Sequence, residues 1–355
     1  MSVAAANRLT ARWAARLTSD EGTVLSGAGA YPLLARLAGF ADGAAAAELG
    51  AVAPTPLELP AVVQAALGLW ARADLTLQPG GQELVAGVLT DDRAPLDAWA
   101  CEHTGGLIPT MPIELDKRTR LVLAAALAVE TLWVEPFEED EAYFTGPWEG
   151  RLANLLFREA RTPEGLAVLD TAVGAVTTAT VRGRDDVDVV LLLGEEDRGP
   201  GALLPAVIAA LPALDSTPFR LHGPGITVRR HFEPGYRLKV PQFAVQAEHD
   251  LLAAADVFGL RAAADPSRGH FPGLAVEPLA VTAAVQAATA AFSATGFKAA
   301  AVIVDGIGYG MDPPHETVHV CFDRPFGFLA VHRPTGLVLF AGWVAEPAEG
   351  DYRSV

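Results

Sequence analysis

The chain has 355 residues, 51% of them apolar, so it is long enough to bury an extended core without disulfides or metals. Its formal net charge of −17 repels phosphate backbones and anionic lipid, which argues against nucleic acids and membranes as partners. Only two cysteines occur, Cys101 and Cys321. They lie far apart, so the sequence predicts no disulfide framework and leaves their pairing open.

The first predicted element is an amphipathic helix that reaches about residue 18. Leu9, Trp13 and Leu17 recur at helical spacing, and arginines interrupt every apolar stretch, which excludes a signal peptide. No apolar run approaches the 18 or so residues of a membrane span. We therefore expect a cytoplasmic protein, and we expect it to be a monomer.

The rest of the chain predicts helices first and strands later. Further helices are expected over 31–40, from Gly43 and over 60–73, whereas the apolar run Leu121–Val129 fits either a helix or a strand. Later elements are strands at 167–182, 187–193, 226–230, 236–245, 317–322, 327–332 and 337–344, an unassigned apolar segment at 279–292, and helices at 203–211 and near 249–258. The pattern has no βαβ period and no linker, so it predicts one α+β domain over 1–355.

Several segments, taken in order, resemble one known family. They are Asp-Arg-Pro-Phe-Gly-Phe at 323–328 with Gly-Leu-Val-Leu-Phe-Ala-Gly at 336–342, Val-Pro-Gln-Phe at 240–243, His-Phe-Pro-Gly-Leu at 270–274, Trp-Val-Glu-Pro-Phe at 133–137, Trp99 with Thr-Gly-Gly at 104–106, and Ser26 with Phe-Ala-Asp-Gly at 40–43. Their order and spacing resemble the serpin (serine protease inhibitor) family. The match is to a prokaryotic-type member without a signal peptide, although many members of the family are extracellular.

The resemblance implies an α+β fold with three β-sheets, about eight or nine helices and an exposed reactive-centre loop at about 297–314. In such a fold a protease cleaves the loop, which then inserts as an extra strand into a large sheet of the metastable protein. The inserted loop exchanges unpaired backbone groups for a full hydrogen-bonded ladder.

The hinge of this loop departs from the inhibitory pattern of the family. Gly296 and the alanines Ala299, Ala300 and Ala301 fit that pattern, but Phe297 stands where a small hydroxyl residue is usual and Lys298 where an acid is usual. Family spacing puts the cleaved bond about fourteen residues after Gly296. The candidates are Tyr309, Gly310, Met311 and Asp312.

The residues at the cleavage site predict the class of protease. Tyr309 and Met311 offer apolar side chains, and no lysine or arginine lies between Lys298 and Pro313. The partner is therefore expected to be a serine protease of chymotrypsin-like or subtilisin-like specificity.

An inserted strand has period two, so alternate residues would point inward, namely Phe297, Ala299, Ala301, Ile303, Asp305, Ile307 and Tyr309. Forcing Phe297 through a gap shaped for a small side chain would cost about 1–3 kcal/mol, and burying Asp305 unpaired would cost several more. Both effects slow insertion relative to hydrolysis. They leave open an alternative in which the chain is a protease substrate or a binding or scaffold module.

The resemblance also assigns five positions around the insertion gap. Trp133 lies under the top of the gap, Ala125 and Gln286 replace a hydrogen-bonded asparagine and histidine, and Gly29 replaces a serine that accompanies Ser26. One interpretation is weaker control of sheet opening. The other is that apolar packing fills the same space without leaving an orphaned polar group.

Three other sequence patterns that could indicate a functional site give weaker evidence than the family resemblance. His315, Glu316, His319 and Cys321 lie close together, but converging ligands are missing and His332 is the only nearby candidate, so no metal is expected. The Gly-x-Gly-x-Gly run at 306–310 lacks the following helix that binds phosphate. No Gly-x-Ser-x-Gly elbow occurs, so the sequence predicts no enzyme, no catalytic residue and no cofactor.

Overall fold

A computed structural model describes residues 2–144, 146–231, 235–297 and 315–348. The described helices are α1 (Ser2–Ala14), α2 (Gly27–Ala38), α3 (Gly43–Val52), α4 (Pro79–Leu84), α5 (Ala94–His103), α6 (Pro200–Ala210) and α7 (Ala255–Phe258), with 3₁₀ helices at Gly146–Trp148, Leu211–Ser216 and Leu251–Ala254. The described part of the chain thus has seven α-helices and three 3₁₀ helices, where the resemblance implies about eight or nine helices in all.

Eighteen strands complete the described ranges. They are β1 (Thr23–Leu25), β2 (Val63–Arg72), β3 (Val85–Leu89), β4 (Leu121–Val129), β5 (Thr131–Leu132), β6 (Glu138–Tyr143), β7 (Leu152–Ala160), β8 (Leu166–Thr171), β9 (Gly174–Arg182), β10 (Val187–Leu193), β11 (Ile226–His231), β12 (Gly235–Pro241), β13 (Phe243–Asp250), β14 (Ala283–Phe292), β15 (Gly296–Phe297), β16 (His315–Cys321), β17 (Phe326–His332) and β18 (Leu337–Val344).

These strands form three sheets. One has the order β1-β18-β17-β10-β9-β8 and another the order β11-β16-β12-β7-β6. The third, the large sheet, has the order β3-β2-β4-β14-β15-β5, and β13 also pairs with β14. The predicted three-sheet α+β architecture is confirmed.

Strand β4 is the centre of the large sheet, and every one of its residues is buried. Its odd-numbered residues pack into the main core, whereas residues 122, 124 and 126 face a second core that includes Leu96 and Ala100 of α5. Because both faces are covered, the strand needs apolar residues at every position. That is why its sequence shows no period-two alternation and fits a helix equally well.

The expected helix over 60–73 is wrong. Residues Val63–Arg72 form strand β2, which pairs antiparallel with β4 at nine consecutive positions from Val63–Val129 to Ala71–Leu121. Tertiary pairing overrides the helix propensity of its alanines.

Two other expected strands are each divided. The segment 167–182 becomes β8 and β9 around a turn, and the segment 236–245 becomes β12 and β13 around Gln242. The strands β12 and β13 belong to different sheets, so the five-stranded sheet continues directly into the large sheet at this point.

The expected helix near 249–258 begins later, because His249 and Asp250 complete β13. Among the helices of the described ranges, none is long and apolar enough to cross a membrane.

Candidate functional site: the insertion gap and its hinge

The large sheet is closed at one end and parted at the other. Strands β4 and β14 pair directly and in parallel over six positions, ending at Leu127–Ala288. Beyond that pair, at the end we call the upper end, β15 lies between β14 and β5 and runs antiparallel to both. Gly296 therefore lies beside Leu132. The first residues of the expected inserting strand already occupy the gap.

Gly296 is a glycine because of a close approach between backbones. A Cβ atom built at this position would lie 2.5 Å from the carbonyl oxygen of Thr131 and 3.2 Å from the Cα of Leu132. Backbone atoms cannot move away cheaply, so a side chain here would push β15 off β5. The hinge glycine thus permits the pairing of Gly296 with Leu132.

Phe297 is fully buried in this upper gap, which corrects the expectation that the gap fits only a small side chain. Its backbone lies opposite Phe292, and its ring centroid is 6.2 Å from that of Phe328. Phe292 in turn stacks on Phe243 at 5.2 Å and contacts Trp133 at 4.9 Å. The gap is lined by aromatic rings, so here it receives Phe297 in the intact chain.

The turn between β14 and β15 is held by the two ends of the Trp-Val-Glu-Pro-Phe segment. The Nε1–H of Trp133 donates to the Ser293 carbonyl at 2.9 Å, and its backbone N–H donates to the Thr295 carbonyl at 3.0 Å. The backbone N–H of Phe137 donates to the Ala294 carbonyl at 2.8 Å. Each carbonyl of the turn at 293–295 therefore has a donor from this segment.

The turn also contains Ser293, which the sequence analysis does not single out, and Ala294, which stands where the inhibitory pattern of the family usually has an acid. The Ser293 hydroxyl donates to the Gly296 carbonyl at 2.9 Å, and Ala294 is 2% exposed. An acidic side chain at Ala294 would be buried beside these carbonyls, which explains in physical terms why an apolar residue stands there.

Below the gap, Gln286 and Ala125 face each other across β14 and β4, as the two family positions require. Gln286 is fully buried and forms two hydrogen bonds with the backbone of Ser26. The Ser26 N–H donates to the Oε1 of Gln286 at 2.8 Å, and the Nε2 of Gln286 donates to the Ser26 carbonyl at 2.9 Å. Apolar packing therefore does not replace the lost pair, because a polar clamp from the sheet to α2 stands in its place.

Ser26 is also the N-cap of α2. Its hydroxyl accepts the N–H of Gly29 at 3.0 Å and donates to the Leu339 carbonyl of β18 at 2.6 Å. One residue thus joins the helix, the large sheet and the six-stranded sheet.

Gly29 is small because α2 lies against β4. A Cβ atom at this position would be 2.2 Å from the Cδ1 of Leu127. The serine usual in the family is incompatible with Leu127 in its present position. Gly29 and Leu127 are therefore matched to each other at the level where β4 and β14 begin to part.

The segment around Cys321 does not form a metal site in the part of the chain that the structure describes, where no group of three or more His, Cys, Asp or Glu converges. Cys101 and Cys321 are both free thiols. Burial, reinforced by Asp323, raises the pKa of Cys321 to about 11, which disfavours the thiolate needed for metal binding or nucleophilic attack. The side chain of His315 lies outside the described residues.

The remaining hinge and bond candidates also lie outside the described residues. They are Lys298, Ala299, Ala300, Ala301, Tyr309, Gly310, Met311 and Asp312. Their roles stay predictions.

Comparisons with known proteins agree with this geometry. The family model for Serpin (serine protease inhibitor) matches residues 226–347. Plasminogen activator inhibitor 1 of Bos taurus is 26% identical over 271 residues, covering 72% of this chain and 61% of that protein.

Solved structures match nearly the whole chain. The native state of tengpin, a thermophilic serpin, superposes with a TM-score of 0.75 at 16% identity, over 97% of this chain and 94% of that one. A complex of thyroxine-binding globulin with thyroxine gives 0.74 at 19% identity, over 98% and 99%. At such identities these structures show the fold. The chain spans 37 to 67% of the length of the curated relatives it matches.

Proposed function

The chain belongs to the serpin family, and we propose that it inhibits a serine protease by offering residues 298–314 for cleavage and inserting them into the large sheet. The observation that carries this proposal is strand β15. It already lies antiparallel between β14 and β5, in the direction an inserted loop must follow.

The reaction begins as ordinary proteolysis. The protease serine oxygen bonds to a loop carbonyl carbon, the peptide C–N bond breaks, and the leaving amine takes a proton. The loop upstream of the cut then follows Phe297 between β4 and β14 while the protease is still attached by an ester. Inhibition requires that this insertion outpace hydrolysis of the ester.

The register of insertion is set by Phe297. Its side chain is buried, so residues 299, 301, 303 and 305 also point inward if the strand continues. Ala299 and Ala301 are small enough to pass below the aromatic gap. Each inserted residue adds ladder hydrogen bonds at about 1 kcal/mol each, which supplies the driving force.

A second candidate function, a serpin-fold protein that does not inhibit, has its own support. Asp305 falls on the inward face, where an unpaired carboxylate costs several kcal/mol. The fold is also that of a globulin solved in complex with thyroxine, so it accommodates a binding function. In this alternative the loop is cut without trapping the protease.

The test uses two matched variants of the hinge. Ala301→Arg puts a large cation on the inward face, whereas Ala300→Arg puts the same group on the outward face one residue away. The wild type and both variants are incubated with chymotrypsin and, separately, with subtilisin, the products are separated on a denaturing gel, and the fragment masses give the cut site. We expect a covalent band of summed mass for the wild type and for Ala300→Arg, and only a cut chain for Ala301→Arg.

The alternative predicts a different gel. If all three proteins are cut within 305–314 without a covalent band, the chain is a substrate. If neither chymotrypsin nor subtilisin cuts within 305–314, the proposal that a serine protease cleaves this loop is wrong.

A further inference from the structure

Basic side chains gather on one part of this acidic protein. Arg229 and Arg230 on β11, with Arg237 and Lys239 on β12, are four of its 26 lysines and arginines, and we call them the basic cluster. Both arginines of β11 are exposed, and neither they nor Lys239 form an ion pair within the described ranges. Arg237 pairs with Glu159. Three cations of the cluster are therefore available to a partner.

The strand registers place most of the cluster on one face of the five-stranded sheet. Arg229 lies opposite Thr317, while Arg237 and Lys239 lie opposite His319 and Cys321 on the other side of β16. These positions alternate with Val320 and Val240, which are fully buried on the other face. Arg229, Arg237 and Lys239 thus share the outer face, whereas Arg230, which lies opposite Glu316, belongs to the other face of the edge strand β11.

The opposite edge of the same sheet has the opposite charge. Strand β6 carries exposed Glu138 and Glu139, on the far side of β7 from β12. The sheet therefore has a basic edge and an acidic edge, which gives a charged partner a preferred orientation.

Chain length ties the basic cluster to the cleavage site. The candidate bonds at 309–312 lie three to six residues before His315, which pairs directly with His231 of β11. An extended chain spans at most about 3.6 Å per residue, so the cut lies within about 11 Å of the start of β16 for the nearest candidate and about 22 Å for the farthest. A protease domain about 40 Å across, bound to that bond, is large enough to reach the cluster.

We propose that the basic cluster is a docking surface for carboxylates around the active-site cleft of the target protease. This proposal rests on the proposed function, because its occupant is the enzyme that cuts the loop. At physiological salt the field of the whole molecule is screened beyond about 8 Å, so the local cations act on an enzyme at contact despite the net charge of −17.

The test compares charge reversal at the cluster with the same reversal elsewhere. Arg229→Glu/Arg230→Glu removes the exposed pair. The control, Lys117→Glu/Arg118→Glu, makes an equal change in net charge at two exposed residues just before β4. From the start of β4 to Leu132, beside the hinge, the chain runs eleven residues, or about 36 Å of extended strand.

The probes are chymotrypsin with its lysines succinylated, which makes its surface acidic, and chymotrypsin with its lysines acetylated. A small chromogenic substrate calibrates both enzymes. The quantity measured is the second-order rate constant of loop cleavage at several salt concentrations.

We expect the succinylated enzyme to cut the wild type and the Lys117/Arg118 control about tenfold faster than it cuts the Arg229/Arg230 variant at low salt, with the difference shrinking as salt rises. The acetylated enzyme should show a much smaller difference. Equal rate constants for the two variants with the succinylated enzyme would overturn the proposed docking surface. They would leave the proposal that the loop is cleaved by a serine protease unaffected. Absence of loop cleavage in every protein would instead overturn the proposed function.

Discussion

The side-chain amide of Gln286 closes two hydrogen bonds with the backbone of Ser26, at 2.8 and 2.9 Å. Replacing Gln286 by leucine leaves the Ser26 N–H and C=O buried without these partners. The Ser26 carbonyl still accepts the N–H of Ala30 at 3.3 Å, so the orphaned group is the Ser26 N–H. We expect the free energy of unfolding of the intact protein to fall by about 1–3 kcal/mol, the cost of one orphaned buried group. Urea denaturation measures the change.

The matched control is Gln246→Leu, an exposed glutamine on neighbouring β13. It should change the stability by less than about 0.5 kcal/mol. Equal effects of the two substitutions would mean that the Gln286 clamp contributes nothing.

The second prediction concerns the close contact between Gly29 and Leu127. Gly29→Ser places a Cβ atom 2.2 Å from the Leu127 side chain, so we expect a loss of about 1–3 kcal/mol from overpacking. Shortening the neighbour in Gly29→Ser/Leu127→Ala should relieve that clash. In a double-mutant cycle measured by urea denaturation, the coupling energy should be favourable, and additive losses would show that the contact is not the cause.

Replacing Asp305 tests whether a cleaved chain traps the protease in a covalent complex or is released as a substrate. Asp305→Ala removes the carboxylate that insertion would bury, so insertion should be faster and a larger fraction of cleavage events should end in a covalent complex. The fraction is read from gels of a chymotrypsin titration. Glu83→Ala, which removes an exposed carboxylate on α4 outside the loop, is the control and should leave the fraction unchanged. A lower fraction for Asp305→Ala would show that the carboxylate finds a partner in the sheet.

The burial of His249 should make the free energy of unfolding depend on pH. Burial lowers the pKa of His249, and the hydrogen bond from its Nε2 to the Val24 carbonyl offsets this only in part. The unfolded chain therefore binds this proton more tightly than the folded one. The stabilising contribution is complete above the unfolded pKa of about 6.5 and is lost as pH falls through that value towards the folded pKa.

His249→Gln, which cannot titrate, should lose less stability than the wild type between pH 7 and pH 5. Urea denaturation at each pH gives the comparison. Identical pH profiles would exclude His249 as a source of the acid sensitivity.

The sequence predicts the parts of this fold whose signals are local. The C-terminal strands β16, β17 and β18 lie within a residue or two of their expected positions, because β-branched runs and turns mark them. For strand β2 the sequence predicts a helix, because its alanines favour a helix and only its pairing with β4 makes it a strand.

The site was predictable in its positions but not in its contacts. Counting along the chain placed Gln286 opposite Ala125, yet its bond to Ser26 joins residues 260 positions apart. The burial of Phe297 likewise depends on Phe243, Phe292 and Phe328. No local pattern brings those rings together.

The central claim is that a cut in the loop lets it continue strand β15 into the large sheet. The most direct measurement is thermal unfolding of the intact protein and of the protein cut cleanly within 305–314, for the wild type and for Ala301→Arg. Because a full strand adds roughly ten or more hydrogen bonds of about 1 kcal/mol each, we expect cleavage to raise the melting temperature of the wild type by about 20 °C or more. The Ala301→Arg protein should show little rise. An unchanged melting temperature of the cleaved wild type would contradict the account.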